Sequence, residues 1–169
     1  MIPPRIQAAL DDAGVRYCLI GAHALAVYGV ARYTADIDLL TLDAAVMDAG
    51  FWPQGLAPTV RRGDAEDPLA GLVRFGSPAL DLIVGRGPVM RGAVQDARPE
   101  ALMGCPVVTP FWLALLKLEA GGVQDLADVQ LLFEARRRAG DALRQEVADR
   151  LDLLSEWGQR AWTRVAAAP

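Results

Sequence analysis

The sequence predicts a mixed α/β (α+β) fold, in which a mixed sheet is followed by a helical C-terminal subdomain. Up to residue 109, short apolar segments bounded by Gly and Pro indicate strands that alternate with short helices. From Pro110 onward the apolar spacing is helical only, and this order of elements is typical of α+β folds. The 169 residues, 53% of them hydrophobic, suffice for one compact core.

The first fifty residues predict three helices and two buried strands. The expected helices cover residues 4–13, 22–28 and 42–49, and each is followed by a glycine, which commonly ends a helix. The expected strands cover residues 15–20 and 36–41, which are short apolar runs. Together they predict a strand–helix–strand unit that opens the sheet.

The middle of the chain predicts a hairpin, and the rest predicts helices. Residues 54–67 are polar and rich in Gly and Pro, which indicates a loop with a marginal strand at 59–62. A hairpin is expected from strands 71–75 and 79–84 across Gly76-Ser77-Pro78, followed by a helix at 88–96 and a short strand at 107–109. The C-terminal helices are expected at 111–120, 123–138 and 141–162.

Bulk properties narrow the class of function. A net charge of −4 argues against a large nucleic-acid footprint, although a local basic face is compatible with it. No apolar run approaches the roughly 20 residues of a membrane span, and the N-terminus lacks the pattern of a signal peptide. The two cysteines, Cys18 and Cys105, lie in apolar surroundings without metal-ligand spacing. We therefore expect reduced thiols and a cytoplasmic location.

Asp36 and Asp38 are the first candidate site residues. They are separated by one residue in a predicted strand, so their carboxylates point to the same face. Two acids on one face repel each other unless a cation lies between them, and a hard divalent ion such as Mg²⁺ suits carboxylate oxygens. Capping of backbone groups, or simple solvation, is the alternative interpretation of this pair.

Asp81 is a third acid, in a predicted strand whose other members are apolar. Burial of such a carboxylate is costly unless it is paired or ligates a metal. If its strand is the neighbour of the Asp38 strand, about 4.8 Å away, three carboxylates converge. A partly exposed Asp81 on an edge strand is the alternative.

A turn between the first strand and the following helix is a candidate phosphate site. Gly21 and Ala22 are small, and free N–H groups at the start of a helix favour an anion. His23, the only histidine, either donates to a phosphate or bonds locally. Arg32 and Thr34 either steady the start of the Asp36 strand, touch phosphate, or lie on the surface.

Lys117 is the only lysine, against sixteen arginines, and it lies in the apolar helix at 111–120. From the residues alone it is interpreted either as a snorkelling side chain or as the partner of Asp125 or Asp128 in an ion pair.

Residues 17–41 resemble the signature of the DNA polymerase β-like nucleotidyltransferases. In that signature a hydrophobic residue, Gly, and Gly or Ser precede a spacer of about a dozen residues and an Asp-hydrophobic-Asp pair. Here Ile20-Gly21-Ala22 is followed by thirteen residues and Asp36-Ile37-Asp38. Asp81 fits the third carboxylate of the family. The pattern of Lys117, Asp125 and Asp128 is similar to that of small bacterial members, including the type IV toxin nucleotidyltransferases of abortive-infection systems.

The resemblance implies a nucleotidyltransferase α/β core at 1–109 and a helical subdomain at 110–169. It implies an enzyme that moves an NMP from an NTP to an acceptor hydroxyl with Mg²⁺ or Mn²⁺, pyrophosphate leaving. The implied metal ligands and catalytic residues are Asp36, Asp38 and Asp81. The implied nucleotide-binding residues are Gly21, Ala22, His23, Arg32, Thr34 and Lys117. A tRNA, a protein or a small molecule is the implied acceptor, and a cognate antitoxin is the implied partner.

Ala22 departs from the family pattern, which has Gly or Ser at this position. The methyl group replaces a hydroxyl that could bind a triphosphate oxygen, so the alternative function is a catalytically degenerate NTP-binding or protein-interaction module. A glycosyltransferase with a DxD metal motif is a further alternative. It requires a larger nucleotide-binding region than the 35 residues before Asp36 provide.

Overall fold

A seven-stranded mixed sheet forms the centre of the computed structural model, which describes residues 2–77 and 79–167. The strands are β1 (Tyr17–Leu19), β2 (Ile37–Thr41), β3 (Thr59–Arg62), β4 (Leu69–Gly76), β5 (Ala79–Gly85), β6 (Arg98–Glu100) and β7 (Cys105–Val107). Their order in the sheet is β3-β4-β5-β2-β1-β7-β6. β2 runs parallel to β5 and antiparallel to β1. The predicted mixed sheet is therefore confirmed.

Seven α-helices accompany the sheet within the described part of the chain. They are α1 (Pro4–Asp12), α2 (Gly21–Val27), α3 (Gly87–Gln95), α4 (Pro110–Ala120), α5 (Val123–Arg138), α6 (Leu143–Ala148) and α7 (Glu156–Ala166). All described strands precede α4, so the change of pattern at Pro110 is confirmed. The division of the chain into domains at 109/110 stays a prediction.

The two faces of the sheet are covered differently. On one face Cys18 of β1 contacts α3, because its Sγ lies 3.6 Å from the carbonyl oxygen of Ala93. On the other face Trp52 packs edge-on against Phe75 of β4, with ring centroids 4.9 Å apart. α4 packs against α2 and α3 and joins them to the C-terminal helices.

Several predicted elements differ from the structure. Residues 42–49 contain a 3₁₀ turn (Ala44–Met47) rather than an α-helix, and the Asp43 carboxylate accepts from the N–H of Ala45 at 2.9 Å. This side chain caps the start of the turn. The strand expected at 107–109 is Cys105–Val107, and it pairs with β6, which was not expected from the sequence. Pro78, in the expected hairpin turn, lies outside the described residues.

The single helix expected at 141–162 is wrong. α6 and α7 are separated by a 3₁₀ turn (Leu151–Leu153), and Ser155 caps α7 by accepting from the N–H of Gly158 at 3.2 Å. Glu119 of α4 accepts from the backbone N–H of Ser155 at 2.6 Å and from its hydroxyl at 2.7 Å. This contact with α4 holds the break in place, and its partners are 36 residues apart in sequence. Within residues 2–77 and 79–167, no helix has the length and apolarity needed to cross a membrane.

Candidate active site

Asp38 on β2 and Asp81 on β5 are directly paired in the parallel register of these two strands. Directly paired residues share a face of the sheet, so both carboxylates project from the same side. The sequence led us to consider these strands as neighbours, and the pairing confirms it. The Asp81 side chain is only 16% exposed.

The Asp38 carboxyl has a strongly altered protonation equilibrium. Burial, followed by repulsion from Asp81 and Asp36, raises its pKa from the ordinary 3.8 to about 6. The positive charges of Lys117 and Arg32 act in the opposite direction and lower the pKa. These five groups therefore lie within electrostatic range of one another. Negative charge on Asp38 is therefore unfavourable, and a nearby cation would offset the repulsion from Asp81 and Asp36.

Asp36 lies just before β2 rather than inside it, because the strand begins at Ile37. Its side chain is exposed, and its backbone N–H lies 3.2 Å from the hydroxyl of Thr34. Thr34 thus steadies the start of the strand, one of the roles considered for it. Across residues 2–77 and 79–167, no three acidic, His or Cys side chains are close enough to enclose one ion as they stand. Repulsion acts over a longer range than coordination, so the carboxylates influence one another without forming a closed ligand set.

The turn at Gly21 lies directly against Asp38. Gly21 has a φ of +65°, which favours glycine, and a Cβ added to it would stand 2.9 Å from the Asp38 Cγ and closer still to Oδ2. Glycine is therefore required here for two reasons, backbone conformation and space. The N–H of Ile20 donates to the Asp38 carbonyl oxygen at 2.9 Å and fixes the turn to β2.

Ala22 and His23 follow this turn in the first part of α2. Ala22 is 4% exposed, so its methyl group packs in the interior. His23 is half-buried, and burial, with the N-terminal charge, lowers its pKa below the ordinary 6.5. A neutral imidazole at pH 7 retains one N–H donor.

Lys117 is buried at 7% exposure and pairs with two acids of α5. Its Nζ lies 3.0 Å from Asp125 Oδ1 and 2.7 Å from Asp128 Oδ2. The ion pair considered from the sequence is therefore present with both candidate partners. Asp128 is fully buried, so this carboxylate depends on its cations for stability.

Arg32 shares the same carboxylate oxygen. Its Nη1 lies 2.8 Å from Asp128 Oδ2, which also accepts from Lys117. The segment between α2 and β2 is thereby tied to α5. Arg32, Lys117 and the two acids of α5 form a four-membered cluster, which carries no net formal charge. The sequence pointed to Arg32 at the strand start but not to Asp128 as its partner, which is 96 residues away.

Arg74 is a further residue of this region, and it was not selected from the sequence. Its Nε and Nη2 donate to the two oxygens of Asp81 at 2.7 and 2.6 Å. Arg74 is directly opposite Asp81 in the antiparallel β4–β5 hairpin. This pairing follows from the register of the hairpin, in which Gly76 is paired with Ala79. Asp81 is therefore stabilised by an arginine and is not an unpaired buried acid.

Solved structures show what this architecture is similar to. The solution structure of the antibiotic-resistance factor ANT(2'')-Ia aligns with a TM-score of 0.56 and 16% identity, over 88% of this chain and 90% of that chain. A crystal structure of ANT(2'')-Ia in complex with adenylyl-2''-tobramycin gives a TM-score of 0.55 and 15% identity, over 86% and 94%. An antigenic nucleotidyltransferase-like protein from Paracoccidioides brasiliensis gives 0.44 and 17%, over 94% and 88%.

No protein-family model matches the chain, and no curated protein sequence matches it significantly. The structural likeness extends over nearly the full length of both chains at low identity, so what it shows is the fold. The chain has a nucleotidyltransferase-like fold.

Proposed function

We propose that this chain transfers a nucleoside monophosphate from an NTP to an acceptor hydroxyl. The observation that carries the proposal is the pairing of Asp38 with Asp81 beside the Gly21 turn, in a fold shared with ANT(2'')-Ia. The Asp38 pKa of about 6 supports it, because perturbed carboxyls concentrate at functional sites.

The donor atoms of this region suit a divalent metal ion by their chemistry, although the three carboxylates do not enclose one as they stand. Asp36, Asp38 and Asp81 offer only carboxylate oxygens, the ligands that Mg²⁺ and Mn²⁺ prefer. The repulsion that raises the Asp38 pKa is also what a cation between the acids would remove. When bound, such an ion polarises phosphate oxygens and offsets negative charge on the transferred group.

The protein groups have separate roles in this proposal. Asp36 and Asp38 would hold the ion that accompanies the NTP, and the N–H groups at Gly21, Ala22 and His23 would bind its phosphates. Lys117 and Arg32, which are paired with acids of α5, lie within electrostatic range of Asp38 and would contribute to phosphate binding. Asp81 would help to deprotonate the attacking hydroxyl, whose oxygen forms a bond to the α-phosphorus while the bond to pyrophosphate breaks.

Label transfer tests the activity. The protein is incubated with each α-labelled NTP, Mg²⁺ or Mn²⁺, total tRNA and cell lysate, and the labelled species are separated. We expect one class of acceptor to be labelled by the wild type and labelling to fall at least about 100-fold in Asp38→Ala. Undiminished transfer by Asp38→Ala would contradict the assignment of the site.

A binding measurement separates an active enzyme from the degenerate module. NTP with Mg²⁺ is expected to raise the melting temperature of the wild type, because a ligand of the folded state stabilises it, and not that of Asp38→Ala. Stabilisation without any label transfer would support an NTP-binding module. The absence of both would indicate a protein-interaction module.

The resemblance to type IV toxins extends the proposal to a cellular role. We propose that the transfer restrains growth and that a cognate antitoxin counteracts it. Induced expression of the wild type is expected to arrest a bacterial host, whereas Asp38→Ala at equal abundance leaves growth unchanged. Equal arrest by both proteins would show that toxicity does not depend on transfer.

A further inference from the structure

The part of the sheet beyond Asp81 presents a row of side chains that crosses four strands. Each member is directly paired with the next, so all of them share one face. The row consists of Thr59, Arg74, Asp81 and Asp38. Thr59 and Arg74 are exposed, whereas Val73 and Phe75, which alternate with Arg74 on β4, are buried on the opposite face. The row therefore lies on a solvent-accessible surface that continues directly from the paired residues Asp38 and Asp81.

This surface is basic apart from the acids of the site. Arg61 lies two residues beyond Thr59 on β3, so it shares the face of Arg74, and it is exposed. Neither residues 49–62 nor residues 69–80 contain an Asp or Glu. The acids at positions 64, 66 and 67 lie at the far end of the β3–β4 hairpin, beyond the Arg62–Gly71 pair. On β3 and β4 this face therefore offers an anion two arginines, Arg61 and Arg74, and offers a polycation no carboxylate of these two segments.

Asp81 fixes the orientation of the Arg74 guanidinium but does not use all of its N–H donors. The Arg74 side chain is 60% exposed, and two of its nitrogens contact Asp81. Within the described part of the chain no other acceptor contacts this guanidinium, which has five N–H donors. The remaining donors are presented beside Asp81 in a fixed orientation, which suits a phosphate group.

The geometry of transfer, which rests on the proposed function, assigns this surface to the acceptor. In an in-line displacement the attacking oxygen and the leaving pyrophosphate are on opposite sides of the α-phosphorus. The NTP phosphates are proposed to lie on the side of Gly21 and Lys117. The acceptor hydroxyl then approaches from the opposite side, over Asp81 and the exposed face of β4 and β3.

We propose that the acceptor bears a phosphate close to its attacking hydroxyl, and that Arg74 and Arg61 bind this phosphate. Arg74 would thus be a specificity-determining residue that selects an anionic acceptor. A polycationic aminoglycoside, such as the tobramycin seen in adenylylated form with ANT(2'')-Ia, is then a poor acceptor for this chain. Carboxylates that would bind its ammonium groups are absent from segments 49–62 and 69–80.

Equilibrium binding without metal or NTP tests this surface directly. Ribose 5-phosphate and ribose are compared by calorimetry or NMR titration in the presence of a chelator. We expect the phosphate-bearing sugar to bind at least about fivefold more tightly, and Arg74→Gln and Arg61→Gln each to weaken its binding at least about threefold. Arg74→Lys keeps the charge but not the fork of donors and is expected to be intermediate.

Two control variants locate the phosphate. Arg91→Gln removes an exposed arginine of α3 and is expected to leave the affinity unchanged. Lys117→Met, titrated at a temperature where circular dichroism shows it to be folded, is also expected to leave it unchanged. A loss of affinity in Lys117→Met but not in Arg74→Gln or Arg61→Gln would put the phosphate in the proposed NTP region and overturn the inference.

Label transfer to matched acceptors completes the test. Ribose 5-phosphate, ribose and tobramycin are offered at equal concentration with an α-labelled NTP and Mg²⁺. Preferential labelling of the phosphate-bearing sugar, lost in Arg74→Gln, supports the inference, whereas preferential labelling of tobramycin overturns it. If no acceptor is labelled but phosphate binding still depends on Arg74 and Arg61, the anion-binding surface is supported while the proposed transfer fails.

Discussion

Asp38 on β2 is paired in register with Asp81 on the parallel strand β5. Arg74, on the neighbouring strand β4, forms an ion pair with Asp81. One carboxylate of the pair is therefore neutralised by a guanidinium, while the other carries a pKa of about 6. This asymmetry leads to the first of four predictions.

Protonation of Asp38 is expected to make the stability of the protein pH-dependent. Its pKa is about 6 in the folded state against 3.8 ordinarily, so the folded protein binds this proton more tightly. The resulting stabilisation is complete below the ordinary pKa and is lost as the pH rises through 6. Asp38→Asn should therefore be more stable than the wild type at pH 8, by up to about 3 kcal/mol, and show little advantage at pH 4.

Urea denaturation of both proteins at pH 4 and pH 8 measures this difference. Asp12→Asn, which changes an exposed acid of α1, is the control and should show no such pH dependence. An equal difference in the free energy of unfolding between wild type and Asp38→Asn at both pH values would contradict the raised pKa.

Replacement of Gly21 is expected to be more harmful than replacement of another glycine with positive φ. Gly21→Ala introduces backbone strain and also a clash with the Asp38 carboxylate. Gly29, at φ +85°, has open space where a Cβ would lie, so Gly29→Ala introduces the strain alone, about 1–2 kcal/mol. We expect Gly21→Ala to cost about 1–3 kcal/mol more than Gly29→Ala, by chemical denaturation.

A double mutant identifies the source of that excess. In an Asp38→Ala background the carboxylate is absent, so the Gly21→Ala penalty should approach that of Gly29→Ala. An undiminished penalty would show that the clash is not with the Asp38 carboxylate.

The buried carboxylate of Asp128 is expected to couple strongly to Lys117. Lys117→Met leaves Asp128 with Arg32 as its remaining cation, and loss of one partner from a buried pair costs about 3 kcal/mol. The double variant Lys117→Met/Asp128→Asn should be less destabilised than the sum of the single variants, with a coupling of about 1–3 kcal/mol.

A thermodynamic cycle by urea denaturation provides this coupling energy. The exposed pair Arg150–Asp152, whose atoms are 3.5 Å apart, is the control and should couple by less than about 1 kcal/mol. Coupling between Lys117 and Asp128 as weak as in this control would mean that the buried pair contributes no specific stabilisation.

Both cysteines are expected to be unreactive in the folded protein. Cys18 and Cys105 are free and buried, and burial raises the pKa of the Cys18 thiol to about 12 and that of Cys105 above its ordinary value. A thiol reagent such as dithionitrobenzoate should modify neither at pH 8 in buffer and both in denaturant. Rapid modification under native conditions would show that the sheet opens locally around β1 or β7.

Local sequence signals predicted an element correctly where residues within it or next to it determine its ends. α5 begins at Val123 and ends at Arg138 as expected, because a Gly-Gly break precedes it and its apolar spacing is regular. The hairpin of β4 and β5 was also predicted from the turn sequence Gly76-Ser77-Pro78. The helix expected across residues 141–162 failed, because the contact between Glu119 and Ser155 that ends it comes from a distant part of the chain.

The same distinction applies to the candidate site. The spacing of Gly21, Asp36 and Asp38 indicated a turn and an acid pair, because residues this close in sequence are positioned by local geometry. Asp81 was selected by its apolar strand alone. Its partner Arg74 required the register of the hairpin, and Asp128 as the partner of Arg32 required the packing of α5 against the segment before β2.

By itself, the sequence determined the class of fold, the acid pair beside a glycine turn and the unusual position of a single lysine. Tertiary structure alone decided which charges meet: Asp81 with Arg74, and Asp128 with both Lys117 and Arg32. The physical reason is that periodicity and turn chemistry act within a few residues, whereas the energy of a charge depends on its burial and on partners that only the folded chain brings near.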